Sequence, residues 1–572
     1  MRTLRHRAAL YVDAARSMHP RQLAARSRRL LPPSLLAAGC ARSRPAGWRP
    51  LSADFSPDPA PQSGPTPPPH EAGRFVAFGH ERQFGTPGFW EAGADGLLFC
   101  FHLHGFAPLA DYASGPRTES GDRFWQGVIE DWRDQCSRPR GPGWHPYPTS
   151  ERVIAWTRAL STGESWPDRL REWLASEIWR QGRYLLRSVE HDIGGNHVLR
   201  NALAICHAGA VYPESNLLGR GLALLRREVG SQFLGDGAHQ ERSTSYHRRL
   251  TGELIDLRAI LLADASTPAP WLDRVIAAAE GWQESIAGPD GRLPMLNDAW
   301  DGPPLPLASS RRPAIQHLAD SGHVVLRHAR DQLLIDVGPI SPRHLPPHAH
   351  ADALSFNLWI DGDPVIVDRG AFTYSGSRRN EFRGTAAHNT VEVDGADQCE
   401  FWGDFRAAFH PRVVTAEPLR IGDAGIVSAA HDGYLRLDDP VLHRRTFVWV
   451  PGDGIVIVDL LECEDDHHVS SSLHAAPSIE PLGCGGVGPL EIKMLAADGP
   501  PSLHREAHAP YLGVTCDAQR LEDRRRIQPR TPFGWSLLRP GSTVTELSHD
   551  AIEVSRSDDQ LLRIPLAWEA PA

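Results

Sequence analysis

The chain changes its hydrophobic period once, and that change limits what it can fold into. From about Glu151 to Ile286 apolar residues recur at helical spacing: Leu170, Trp173, Leu174 and Ile178, then Val198, Leu199, Ala202, Leu203 and Cys206, then Leu254, Ile255, Leu257 and Leu261. Gly, Pro, Ser and Asn punctuate these segments, as at Gly194-Gly195-Asn196 and Gly235-Asp236-Gly237, so the pattern predicts helices paired as antiparallel hairpins through short connections. Past roughly Pro313 the pattern becomes short runs rich in Val, Ile and Leu: His323 to Arg327, Leu333 to Val337, Val365 to Val367, Thr390 to Val393, Thr446 to Val450 and Gly454 to Leu460. Turn formers such as Asp361-Gly362-Asp363 and Asp394-Gly395 bound them. Helices followed by strands, with no βαβ alternation, predict two separate domains and argue against a doubly wound parallel sheet.

The 572 residues are enough for two or three sizeable cores. No run approaches the roughly 20 apolar residues of a membrane-spanning helix. Sixty Lys and Arg against 70 Asp and Glu, a formal charge of -10, argue against a general nucleic-acid binder, because neutralising phosphates needs a basic surface. The eight cysteines form no C-x-x-C pair and read as buried small hydrophobes. Residues 1–50 read as an amphipathic arm, since Arg interrupts any apolar signal core after Met1. Counted from Met18, a basic stretch ending Arg28-Arg29 and the run to Leu36-Ala37-Ala38-Gly39-Cys40 looks like a bacterial lipoprotein signal broken by Pro32-Pro33. Residues 51–72, rich in Pro, Ser and Asp, read as a linker or surface wrap. The expected organisation is therefore an arm (1–50), a linker (51–72), a helical domain (73–312) and a strand domain (313–572).

Two clusters carry chemistry-bearing residues. The first, in the strand half, runs His348-Ala349-His350-Ala351-Asp352, Asp368-Arg369-Gly370 and His388-Asn389-Thr390. Alternate residues of an extended segment share a face, so His348 and His350 can point into one site, and sheet pairing can bring Asp368 and His388 alongside. Two imidazoles and a carboxylate make a zinc-type ligand set. The array also suggests a hydrolytic metal centre of the H-x-H-x-D-H kind, but Ala353 stands where the next His would be. The second cluster, in the helical half, is Gly195-Asn196-His197 together with Asp236 through Glu241-Arg242-Ser243 to Ser245-Tyr246-His247. Asn196 reads either as a helix N-cap or as a site residue. Tyr246 lies among polar neighbours, where cationic groups can lower a phenol's pKa and let it pass protons.

Together with Trp144-His145-Pro146-Tyr147-Pro148, Pro294-Met295-Leu296-Asn297-Asp298 and Tyr374, these blocks resemble the heparinase II/III family of polysaccharide lyases over roughly residues 80 to 470. The resemblance implies an α+β multidomain fold, an incomplete (α/α) toroid of helical hairpins followed by an antiparallel β-sandwich, with the site in the cleft between them. It also implies cleavage of a uronic-acid-containing acidic polysaccharide by β-elimination, as for heparan-type glycosaminoglycans, alginate-like polymers or bacterial exopolysaccharides. A cell-envelope or periplasmic location would follow, with a cytoplasmic one as the alternative.

The chemistry assigns the residue types. Removing the C5 proton of a uronate requires the developing enolate charge to be neutralised, for which Asn196 and His348 are the candidates. One Tyr can take the C5 proton and return one to the leaving oxygen when both lie on one ring face, and Tyr246 is that candidate. His197 is the alternative base. Binding candidates are His197, Glu241, Arg242 and Arg383, with Arg343, Arg378 and Arg379 as further anion-facing groups and Trp144, Trp300 and Trp402 as sugar-stacking faces. His350, Asp368 and His388 match positions that hold a divalent metal, expected to be zinc in a structural role. Two other readings are a metal-dependent glycan hydrolase using that trio and a non-catalytic glycan-binding protein.

Overall fold

The computed structural model describes residues 2–27, 31–42, 44–51, 55, 64–163, 165–263, 269–307, 312–479, 485–497 and 499–566. Half of the segment expected as a linker, residues 52–54 and 56–63, lies outside these residues. The chain forms two compact units that do not follow it in order. One contains residues 18–233 and 246–280, the other residues 1–17, 234–245 and 281–572.

The first unit is built of helices. Glu119–Cys136, Pro146–Thr162, Asp168–Ser188, Gly195–Val211 and Leu217–Gln232 follow one another, and Tyr246 onward continues the helix Thr244–Ala263. Their apolar faces meet in a core holding Trp125, Trp132, Trp144, Trp156, Leu174, Ile178, Leu203, Leu254 and Leu257. The helices Gly195–Val211 and Leu217–Gln232 cross very closely, because a Cβ on Gly209 would sit 2.2 Å from the Leu218 backbone nitrogen. Arg152 is fully buried in this core. It donates to Gln181 Oε1 and to the carbonyls of His104 and Gly143, and stacks 4.4 Å from the Trp132 ring. Cys40 is also buried here, its thiol donating to the Leu36 carbonyl, which also accepts from Arg187.

The second unit is antiparallel β. Among the described residues, one sheet orders the strands 413–415, 424–434, 441–450, 454–462, 533–538, 490–495 and 486–487. The other orders 502–511, 514–527, 467–475, 363–366, 356–360, 331–336, 323–328 and 315–318. Their inner faces share a core of Leu326, Ile335, Phe356, Leu358, Phe447, Trp449, Ile455, Ile457, Leu473, Leu521 and Trp535. The alternate residues Val448, Val450, Val456 and Val458 face the other way, onto Ile552, Val554 and Ile564 of a three-stranded sheet. Both faces of the central strands are therefore covered, and Gly454–Glu462 reads as an apolar run interrupted within the strand only by Asp459 for that reason.

Helix Arg2–Ser17 belongs to this unit. The Tyr11 ring meets Trp402 edge-on at 4.9 Å, and Asp13 accepts from Arg343 at 2.8 Å and from the Phe409 backbone N–H at 3.1 Å. No helix among the described residues is long and apolar enough to cross a membrane.

Candidate active site

In the helical unit, Asn196 and Tyr246 both occupy the first turn of a helix, where short polar connections precede them. Helix Gly195–Val211 has Gly194 as its N-cap, with φ of 87°, so Asn196 lies inside the turn and is not the cap that its residue type suggested. Both Asn196 and Tyr246 are largely buried, 3% and 7% exposed. One helical turn on from each stands an arginine, and these are cross-linked. Arg200 pairs with Glu151 and Glu253, and Arg249 donates to Glu151 at 2.8 Å. This network ties helices 146–162, 195–211 and 244–263 together behind the two candidates. His197 points its Nδ1 at Glu190, 3.2 Å away, and packs on the Tyr147 ring at 4.8 Å. Burial pushes the Glu190 carboxyl up, but His197 and His145 outweigh it and hold it below the usual carboxylate range.

In the sheet unit the hub is Asp298. It accepts from His348 Nδ1 at 2.9 Å and His350 Nε2 at 3.0 Å, and forms a two-pronged pair with Arg379. Burial raises the Asp298 carboxyl, yet Arg379 and the two imidazoles prevail and hold it well below the usual range. With Nδ1 committed to Asp298, His348 turns Nε2 toward Glu241, 3.5 Å away, and its ring meets Tyr374 edge-on at 6.0 Å. The segment carrying Asp298 is pinned by three consecutive hydroxyls: Ser243 donates to the Asp298 carbonyl, Thr244 to Pro294 and Ser245 to Trp300. Tyr246 is the next residue in the chain.

The three residues read as metal ligands come together. One donor atom each from His350, Asp368 and His388 lies within 4.8 Å of the others. Asp298 holds His350 by Nε2 and Asp368 holds His388 by Nδ1 at 2.7 Å, which leaves His350 Nδ1 and His388 Nε2 buried without a hydrogen-bond partner. Two buried imidazole lone pairs beside a carboxylate fit a zinc-type divalent ion, and the carboxylates on the far nitrogens fix the tautomers such a site needs. Burial pulls His350 down to about 4, which keeps it neutral near pH 7. Asp352 is buried nearby, and burial, with Asp336 and Asp368, pushes it well above the usual carboxylate range against the pull of His388. Asn389 staples this region, donating to the Phe356 and Val367 carbonyls and accepting from the His474 N–H. Gly370 has φ of 74°, and a Cβ there would lie 2.3 Å from the Ala509 carbonyl oxygen.

Several expected binding groups have other work. Arg242 is buried and donates to the carbonyls of Ser321 and Asp320. Arg383, 1% exposed, donates to Asn380 Oδ1 and the carbonyls of Asp404 and Gly403 while its guanidinium stacks 4.1 Å from the Phe401 ring. Both are internal braces, because a buried guanidinium must satisfy its N–H groups locally. Arg379 serves Asp298, and Arg343 pairs with Asp13. Trp144 and Trp300 are core residues, and Trp402 is covered on one side by Tyr11. Arg378 is half-buried, its guanidinium lying 3.9 Å over Phe372 and paired with Glu381. Asp298 holds His348, His350 and Arg379 together, yet its only sequence signal was the family-like Asn297-Asp298 block some fifty positions before His348.

A unit of helical hairpins and a layered antiparallel sheet unit with a buried His–Asp cluster define the toroid-plus-sandwich class of fold. The chain matches the family description "Heparinase II/III N-terminus" over residues 105–316 and "Heparinase II/III-like, C-terminal" over 310–559. It belongs to the heparinase II/III family. It is 24% identical over 387 residues to a heparin-sulfate lyase of Bacteroides stercoris, covering 59% of this chain and 54% of that protein. It is 27% identical over 223 residues to a heparin-sulfate lyase of Bacteroides thetaiotaomicron, covering 35% of this chain and 31% of that one. The matched part thus spans about half or less of these relatives. The fold is that of heparinase III, with a TM-score of 0.71 at 17% identity over 93% of this chain and 94% of that structure. A mutant heparan sulfate lyase HepC from Pedobacter heparinus aligns with a TM-score of 0.61 at 16% identity, covering 94% of each chain.

Proposed function

We propose that this protein is a polysaccharide lyase that cleaves a uronic-acid-containing glycosaminoglycan of the heparan type by β-elimination. The observation that carries this reading is the Asp298 hub. It fixes the His348 ring through Nδ1 with Nε2 turned toward Glu241, and its backbone is locked by Ser243, Thr244 and Ser245, the residues directly before Tyr246. The relatives' name, heparin-sulfate lyase, supports the substrate class.

In this reading Tyr246 takes the C5 proton and returns a proton to the departing glycosidic oxygen. The Asn196 amide and the His348 imidazole donate to the uronate carboxyl as charge develops on it. Glu241 keeps the His348 ring oriented, and His197, held by Glu190, lies on the helix face next to Asn196. His350, Asp368 and His388 would hold a divalent ion of the zinc type, which braces the segment that presents His348. Proton transfer and carboxylate neutralisation use no metal-bound water, so the ion's contribution is structural.

The test is ultraviolet detection of the unsaturated uronate during incubation with heparan sulfate, heparin, other uronic-acid glycans and alginate, with Tyr246→Phe and His348→Ala alongside. The expected result is product from a heparan-type glycan, reduced at least ~100-fold in each variant. Chain shortening without an unsaturated end, abolished by chelator, would instead establish the hydrolase reading. Binding without any product, equal in wild type and Tyr246→Phe, would establish the binding reading.

A further inference from the structure

A second group of ligand-type side chains lies elsewhere in the sheet unit, on loops that the chemistry above does not use. Asp439 lies in the connection between strands 424–434 and 441–450, Cys463 just follows strand Gly454–Glu462, and His467 opens strand His467–Ala475. One donor atom of each lies within 4.8 Å of the other two. His467 Nε2 is 2.9 Å from Asp439 Oδ2, and its Nδ1 is 2.7 Å from Asp394, which follows strand Val391–Val393. Asp439 also accepts the backbone N–H groups of Glu464 and Asp465, and Asp394 accepts that of His468, so both carboxylates are fixed by the fold before any ligand arrives.

We propose that Asp439, Cys463 and His467 form a second divalent-metal site for an ion of zinc-like softness, with Asp394 orienting the imidazole. The donor set selects the ion class. A thiolate and an imidazole beside one carboxylate favour zinc and its neighbours over calcium or magnesium, which take oxygen ligands. The geometry selects the nitrogen. A carboxylate on Nδ1 leaves Nε2 aimed at Asp439 and Cys463, the carboxylate–histidine–metal arrangement. Two carboxylates share this one imidazole, and the local sequence Glu462-Cys463-Glu464-Asp465-Asp466 adds negative charge, partly offset by Arg444 on Glu462 and Arg526 on Asp466. Binding releases the Cys463 thiol proton and the proton between His467 and Asp439.

The ion would clip three loops at one end of the sandwich. His467 begins a strand that pairs with Val391–Val393, just after His388-Asn389-Thr390, so the clip also steadies the segment behind the first cluster.

The probe is cobalt(II) added to chelator-treated full-length protein. A thiolate ligand gives a sulfur-to-cobalt charge-transfer band, which the His350, Asp368 and His388 cluster cannot give. The expected result is a band in wild type that persists in His388→Gln and in Cys516→Ser, which alters the exposed thiol, and that disappears in Cys463→Ser and Asp439→Asn. Asp394→Asn should weaken cobalt binding there ~10–100-fold. Circular dichroism of each variant checks that it is folded. Absence of the band in folded wild type, or its survival in Cys463→Ser, would overturn the proposal and leave the cluster as an imidazolium held between two carboxylates.

Discussion

Two buried His–His–carboxylate clusters in the sheet unit share a composition and differ in what they leave open. In the first, His350 and His388 lie 5.2 Å apart between Asp298 and Asp368; in the second, His431 and His443 lie 5.0 Å apart beside Asp459 and Arg445. In the second cluster the hydrogen bonds close end to end. The Gly433 N–H donates to His431 Nδ1, His431 Nε2 pairs with His443 Nδ1, His443 Nε2 reaches Asp459 and Arg445 binds Asp459 with two nitrogens. The first cluster leaves one lone pair on each ring. Unspent donor capacity, rather than residue type, distinguishes a ligand site from an internal brace.

Breaking the closed cluster should have the largest effect. Asp459→Ala leaves Arg445 and His443 buried without their anion, so denaturant unfolding should show a loss of about 3–5 kcal/mol, with the metal content of the folded fraction unchanged. An unchanged unfolding midpoint would mean that the network is not load-sharing with the core.

Next in size, and sharper for the contrast, is metal content. If His350, Asp368 and His388 hold an ion as proposed, His388→Gln should lose it and His443→Gln should retain it, as read by elemental analysis of purified protein. Chelator should lower the melting temperatures of wild type and His443→Gln alike. Equal loss of metal from both variants would erase the distinction drawn here.

The smallest effect is the pH dependence of metal-free protein, where His388 pulls against His431 and His443, and His350, which burial lowers to about 4, pulls with them. Burial, aided by the neighbouring His443, holds His431 well below its ordinary 6.5, and burial also lowers His443. The unfolded chain therefore binds more protons than the folded one below pH 6.5, and stability from these groups falls as acid is added. For His388 burial lowers the pKa, but Asp368 outweighs it and the net shift is upward. That contribution is fully present below pH 6.5 and is lost as pH rises through the raised folded value. In a pH series of unfolding midpoints, His443→Gln should flatten the acid limb and His388→Gln the limb above it; no change in either would contradict the assignment.

Much of the architecture was legible in the sequence because hydrophobic period is a local property. The change near residue 313 marked helices before strands, and most of the quoted runs became elements within a few residues, such as 323–328 for His323 to Arg327. The trio His350, Asp368 and His388 was legible through the family resemblance, since alternation by itself only placed His348 and His350 on one face. Asp298 was not, since nothing local links it to His348 or Arg379, and each of those contacts spans 50 or more positions. Arg242 and Arg383 looked like anion-binding cations because charge suggests a surface, and only the packing around them showed that each is spent on backbone carbonyls.

The sequence by itself determined the order of secondary structure, the family and the residue types available for proton transfer and metal binding. The first rests on spacing along the chain, and the others on motif blocks that resemble the family. Tertiary structure decided which histidines keep a lone pair, which arginines are braces and which carboxylate organises the site. Those outcomes depend on hydrogen bonds between segments far apart in sequence, and a buried polar group takes its role from whatever partners the fold brings within reach.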